Sequence, residues 1–342
     1  MYSIDSNLSK RFEALRAICI VLVVYIHSAV LPLLSVDIVV PEYVAVVKKI
    51  MGNEGGIGTL AVPGFYFISA YLLFLKKTPW IENVRKKLSR IVLPFVAINL
   101  FWTLLFKIMQ HIPAVSHMFA GEQYTVVTVF DWIKAIFSWN PMYYPFWFLW
   151  YLIIFNIISP VIRYFIKRFP ILFLCFVLMI GFSIINIPFL RVDNFVFFVI
   201  GGYFAIYDMD IKKLDRIPLV MSILFFGVVF CFEYLFSVPY LIILEICAGL
   251  ILLYKLSYYM CDNKVIYKLS RYSFFIYCTH EFYEAIIKKI VMSILPQYGM
   301  VQLLEYIVLP MFIIAMCTVI GMIFDRYIKP KYLRCAIGLP KE

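Results

Sequence analysis

The chain has 342 residues, of which 64% are apolar and 15% charged, and its 31 Lys and Arg against 20 Asp and Glu give a net charge of +11. Soluble domains carry about 45–50% apolar and about 25% charged residues, and a mean hydropathy of +0.92 leaves too little polar surface to cover a water-facing globule. Composition therefore excludes a soluble protein and predicts a polytopic membrane protein.

About 20 apolar residues cross about 30 Å of hydrocarbon, and this rule predicts ten spans, near residues 12–34, 57–75, 91–110, 143–163, 171–189, 194–208, 217–236, 239–258, 272–294 and 302–325. The expected fold is an all-α transmembrane bundle, one domain over 1–342 with no appended soluble domain and both termini cytoplasmic. The first apolar run, Ala17 to Leu34, leads into a span and lacks the small-residue site of a cleavable signal. Gly201-Gly202 in the short sixth span predicts close packing on a neighbouring helix.

Charge supports this orientation. Of the 31 Lys and Arg, all but Lys48, Lys49, Lys107, Lys134, Arg191, Lys288 and Lys289 fall at the predicted inner ends or loops, as the positive-inside bias requires. Scattered in this way, the basic residues do not build a nucleic-acid groove, so no nucleic-acid partner is expected. Two outer segments, 35–56 and 111–142, exceed what a connection needs. The first ends in Gly55-Gly56-Ile57-Gly58, a turn feeding the second span and not a phosphate loop, because no Lys-Ser/Thr follows. The second holds His111 and His117, read as solvated.

Eight cysteines (Cys19, Cys175, Cys231, Cys247, Cys261, Cys278, Cys317 and Cys335) form no CxxC pair and mostly lie in apolar runs, which predicts neither a disulfide framework nor a zinc site. No paired-His spacing points to a metal and no nucleophile elbow is present. The chemistry must come from ionisable groups inside apolar spans, where they are costly and so point to function. The first span offers Glu13, Arg16 and His27. At 100° per residue, Arg16 falls within about 20° and Glu13 within about 40° of the His27 direction, so the three share one face. Arg16 and His27 stand about 16 Å apart along the axis, which puts His27 near mid-membrane. Glu13 and Arg16, at i,i+3, are spaced to pair.

The string Arg11-Phe-Glu13-Ala-Leu15-Arg16-Ala17, with ten residues between Arg16 and His27, resembles the opening of the acyltransferase family 3 membrane proteins, whose signature is a basic residue, ten residues, then His. Four further stretches resemble the family in order: Gly64-Phe-Tyr-Phe-Ile-Ser69-Ala70-Tyr71; the basic loop Arg85-Lys86-Lys87-Leu-Ser-Arg90-Ile91-Val-Leu-Pro94; Trp147-Phe148-Leu149; and Ser270-Arg-Tyr272-Ser273-Phe-Phe-Ile-Tyr277-Cys-Thr-His280. Glu13 stands where the family more often has Asp, and Lys87 where it often has Arg. Both keep the charge and change its geometry.

The resemblance implies transfer of an acyl group, usually acetyl, from cytoplasmic acyl-CoA to a hydroxyl of a cell-surface or exported polysaccharide or its lipid-linked precursor. The setting it implies is the bacterial cytoplasmic membrane, with homo-oligomerisation left open. His27 would be the catalytic base, backed by Glu13, since an imidazole with a pKa near about 6.5 suits proton removal from a hydroxyl. Arg16, Arg85, Lys87 and Arg90 would meet the CoA phosphates. Ser69, Tyr71, Trp147, Tyr277, His280 and Glu281 would line the cavity. No tightly bound cofactor is implied; acyl-CoA is a co-substrate. The rival reading is a polysaccharide exporter without acyl transfer, in which the buried Glu, Arg and His would be relay or substrate groups.

Overall fold

The computed structural model describes residues 5–28, 40–52, 56–76, 80–113, 116, 126–185, 192–236, 241–295 and 299–340. In chain order the α-helices are α1 (Ser6–Ser28), α2 (Glu42–Met51), α3 (Ala61–Leu75), α4 (Trp80–Gln110), α5 (Val129–Ile136), α6 (Trp147–Arg168), α7 (Pro170–Gly181), α8 (Val192–Ile206), α9 (Leu219–Phe236), α10 (Ile242–Met260), α11 (Lys264–Ile294), α12 (Gly299–Tyr327) and α13 (Lys331–Ala336). Among the described residues there is no strand. The chain forms two compact units, one from Met1–Lys77 with Ile162–Met322, the other from Thr78–Val161 with Ile323–Glu342.

Among the described residues, five helical stretches are long and apolar enough to cross a membrane: 57–75, α4, α9, α10 and α12. The interrupted stretch Tyr144–Arg168 makes a sixth. On α9, Val220, Met221, Leu224 and Val228 are 59–65% exposed, which is the surface a lipid-facing helix presents. By contrast, α1 and α11 carry Glu13, Arg16, Glu281, Glu284 and Lys288 within their apolar runs. They can do so because α1 packs against α11, α3 and α10 inside the first unit, where protein and not lipid surrounds the charged groups.

Close approaches fix the packing of this unit. α3 lies against α8, and a Cβ on Gly201 would collide with the Phe67 backbone carbonyl, while one on Gly202 would press on Phe74 and Ile166. The Gly201-Gly202 pair therefore does what small residues do at helix crossings. The glycine-rich stretch before the second span becomes the 3-10 turn Ile57–Leu60. There the Thr59 hydroxyl accepts from the Gly56 N–H at 3.2 Å.

At the α1 N-terminal end, Arg11 is 1% exposed. Its guanidinium donates to Asp215 Oδ2 at 2.7 Å and the Tyr254 carbonyl at 2.9 Å, and lies 3.6 Å from the Tyr254 ring centroid. Lys255 Nζ donates to the Asp215 carbonyl at 3.0 Å. Arg11 and Lys255 were expected only as charges at the inner ends of spans; here they tie α1, α10 and the turn Ile211–Arg216 together.

Several boundaries differ from those expected. The basic run Arg85–Arg90 is not a loop: it belongs to α4, which continues through Pro94 to Gln110. The span expected at 171–189 stops after α7, capped at Phe182. The outer segments hold helices of their own, α2 and α5. The second is closed by a reciprocal cap in which the Thr128 hydroxyl accepts from the Asp131 N–H at 3.2 Å and Asp131 Oδ2 accepts from the Thr128 N–H at 2.8 Å. Those N–H bonds hold the Asp131 carboxyl below its ordinary range.

Candidate active site

His27 sits one residue before the end of α1, and the α1–α11 contact brings it to His280. The ring centroids are 5.1 Å apart with the planes inclined at 64°. The two differ in surroundings: His27 is partly exposed and His280 is fully buried. His280 Nδ1 lies 3.0 Å from the carbonyls of both Ile276 and Tyr277. A carbonyl can only accept, so Nδ1 carries the proton and Nε2 is left as a lone-pair acceptor. Nε2 is buried and has no hydrogen-bond partner among the described residues. The Tyr277 ring follows at 6.2 Å from that of His280.

The cap of α1 is held from α11. Lys288 Nζ donates to the Ser28 carbonyl at 3.0 Å, satisfying one of the carbonyls that a helix C-terminus leaves without an intrahelical partner. That bond fixes the residue next to His27 to the helix that carries His280.

Other expected site residues divide by place. Arg16 is half-buried, and its buried Nε has no hydrogen-bond partner among the described residues. It makes no ion pair with Glu13 among the described residues, so the i,i+3 spacing is not used as a salt bridge. Tyr71 packs edge-on against Phe12, with centroids 5.3 Å apart, one turn of α1 from Arg16 and remote from the histidine pair along that helix. Ser69 is half-buried on α3, and Glu281 is half-buried on α11 beside His280. Arg85, Lys87, Arg90 and Trp147 belong to the second unit. There Arg85 and Arg90 are exposed on α4 and Trp147 opens α6. His111 is exposed at the end of α4, with Nδ1 2.8 Å from the Lys107 carbonyl; His117 lies outside the described residues.

Sequence reading set Glu284 beside His280 and Glu281 but passed over Ser28, Lys48, Lys288 and Glu305, which the fold gathers with it near the α1 end that holds His27. The usable signal was Glu284 and Lys288 at i,i+4 within an apolar run.

In this helical protein one ring of the pair is partly exposed and the other is buried, with its Nδ1 against two backbone carbonyls. Comparison gives the class its name. The family model described as an acyltransferase domain, acyltransferase family 3, matches residues 9–326, and the chain belongs to that family. It is also 24% identical over 300 residues to the succinoglycan biosynthesis protein ExoH of Rhizobium meliloti (strain 1021), covering 81% of this chain and 78% of that protein. No solved structure matches.

Proposed function

We propose that this enzyme transfers an acyl group, acetyl in the simplest case, from acyl-CoA to a hydroxyl of a polysaccharide or its lipid-linked precursor, in a bacterial cytoplasmic membrane. The observation that carries this reading is the His27–His280 pair, joined by family membership and by likeness to a protein named for succinoglycan biosynthesis.

In the proposed reaction the acceptor hydroxyl oxygen attacks the thioester carbonyl carbon while its proton passes to His27. The carbon–sulfur bond then breaks, and the CoA sulfur leaves with a proton returned from the imidazolium. An ester and free CoA are the products. His27 is assigned the direct role because it is the partly exposed ring; His280 stands behind it as a positioning residue and hydrogen-bond acceptor. Arg16, Arg85, Lys87 and Arg90 are assigned to the pyrophosphate and 3′-phosphate of CoA, since guanidinium binds phosphate bidentately. The charge distribution supports ten crossings with both termini and the donor opening on the cytoplasmic side. The acceptor would then arrive from the opposite face.

Sealed vesicles of known orientation test this reading. Acyl-CoA supplied at the cytoplasmic face should release CoA and yield acylated glycan on the other face. Glycan movement that needs no acyl-CoA would overturn it in favour of export. Reaction with donor and acceptor both confined to the cytoplasmic face would overturn the cross-membrane part.

A further inference from the structure

Beyond His280 on α11, the ends of α1, α2, α11 and α12 gather a second polar group that proton removal by His27 does not use. Lys288 reaches the Ser28 carbonyl and stands within electrostatic range of Glu284, Lys48 and Glu305. Glu284 sits beside the Ser28 hydroxyl. The Lys48 amine is 5.9 Å from the Tyr306 ring centroid, and that ring meets Tyr25 edge-on at 6.1 Å.

The group holds acceptors that its own donors leave unsatisfied. Both carboxylate oxygens of Glu284, one each of Glu281 and Glu305, and the hydroxyls of Tyr306 and Ser28 are buried atoms with no hydrogen-bond partner of acceptable geometry among the described residues. Glu284 and Ser28 are each 4% exposed and Tyr306 is 3% exposed. An ionised carboxylate only accepts, and buried polar groups are held in place when something satisfies them. Of the two amines, that of Lys288 gives one of its three N–H donors to a backbone carbonyl. What would complete the set is a ligand rich in O–H donors and without negative charge of its own. A pyranose with adjacent hydroxyls fits, since two hydroxyls can donate to the two oxygens of one carboxylate while an aromatic ring supports the sugar face.

Position agrees. Glu284 is one helical turn beyond His280, about 6 Å along α11, and Ser28 follows His27 directly. A sugar ring held there puts a further hydroxyl near the His27 imidazole. We infer that Glu284 and Glu305, with Tyr306 and the Ser28 hydroxyl, form the acceptor subsite and that it takes an uncharged hexose residue. Its place in the reaction rests on the acyl-transfer reading above.

The test uses the full chain in lipid nanodiscs, with cellotetraose as the neutral probe, tetragalacturonate as the acidic probe, and acetyl-CoA binding measured separately. Saturation-transfer NMR should show cellotetraose bound in preference to tetragalacturonate. Glu284→Leu and Glu305→Gln should each weaken cellotetraose binding at least tenfold, with melting temperatures near that of the wild type. Should Glu284→Leu fail to fold, Glu305→Gln, at a half-buried position, carries the test alone. No wild-type binding of cellotetraose, preference for the acidic probe, or unchanged affinity in the folded variants would overturn the inference. A wild type that binds cellotetraose and not acetyl-CoA would remove the acyl-transfer reading and leave the sugar site standing. Normal acetyl-CoA binding with unaltered cellotetraose affinity in the variants would do the reverse.

Discussion

His27 and His280 come from opposite ends of the chain, yet their rings stand 5.1 Å apart at 64°. The pair is asymmetric: the backbone of α11 determines which nitrogen of His280 holds its proton, while His27 keeps an open side. Because His280 Nδ1 is committed, only Nε2 can answer a change at His27.

His27→Ala should lower acyl transfer by about 10²–10⁴-fold, the usual loss when a positioned general base is removed. Acyl-CoA affinity and membrane insertion should change little. His280→Asn should lower turnover by less, on the order of tenfold, and change KM for acyl-CoA little, since His280 acts through His27. CoA release by reconstituted variants checks both; near-wild-type turnover in His27→Ala would reject the assignment.

Arg16→Ala and Arg90→Ala should weaken binding of acyl-CoA more than binding of an acyl-pantetheine that lacks the phosphates, because a guanidinium recognises phosphate charge and geometry. Comparing both ligands by equilibrium binding decides. Equal losses would assign these arginines to the fold.

Arg11→Met should destabilise the first unit without altering acyl-CoA affinity. The substitution removes the 2.7 Å donor to Asp215 Oδ2 and one of the donors to the Tyr254 carbonyl, a loss of about 1–3 kcal/mol. Thermal melting in detergent should fall while ligand binding by the folded fraction stays as in wild type.

Two glycine substitutions should act in opposite directions. Gly201→Ala forces a methyl group into the Phe67 backbone, and overpacking of a close helix crossing costs about 1–3 kcal/mol. Gly227→Ala on α9 meets nothing within 4 Å and should stabilise that helix by up to about 1 kcal/mol, the propensity difference between the residues. Paired melting curves of the two variants provide the check.

The Asp131 cap sets a pH dependence for α5. Its carboxyl is held below the ordinary value by the Thr128 and Val127 N–H groups, so its contribution is fully present above the unfolded carboxylate pKa. That contribution is lost as pH falls through the lower folded value. Amide protection factors across 129–136, which remove the intrinsic pH dependence of exchange, should fall at acid pH in wild type and be low at all pH values in Asp131→Ala.

Membrane residence, helical class, the Arg16-to-His27 spacing and the glycine crossing were all legible in the sequence, because each is a local property: run length, helical period or residue size. The 85–90 segment misled because a run of Lys and Arg looks like a loop by charge alone, whereas straight-chain basic residues are good helix formers and carry α4 down to Trp80. Burial of Arg11 was hidden for a related reason. A charge at the end of an apolar run looks the same whether water or Asp215 receives it.

Which histidine meets His27, which nitrogen it offers, and that Ser28, Glu284, Lys288, Glu305 and Lys48 converge beside the pair were settled by tertiary structure alone. These relations join α1, α2, α11 and α12 across long stretches of chain, and no periodicity encodes a distance between helices. Helix period set by the sequence put Glu13, Arg16 and His27 on one face; the packing of α1 on α11 decided what that face confronts, because only close packing makes the residues of two helices share one small, water-poor volume.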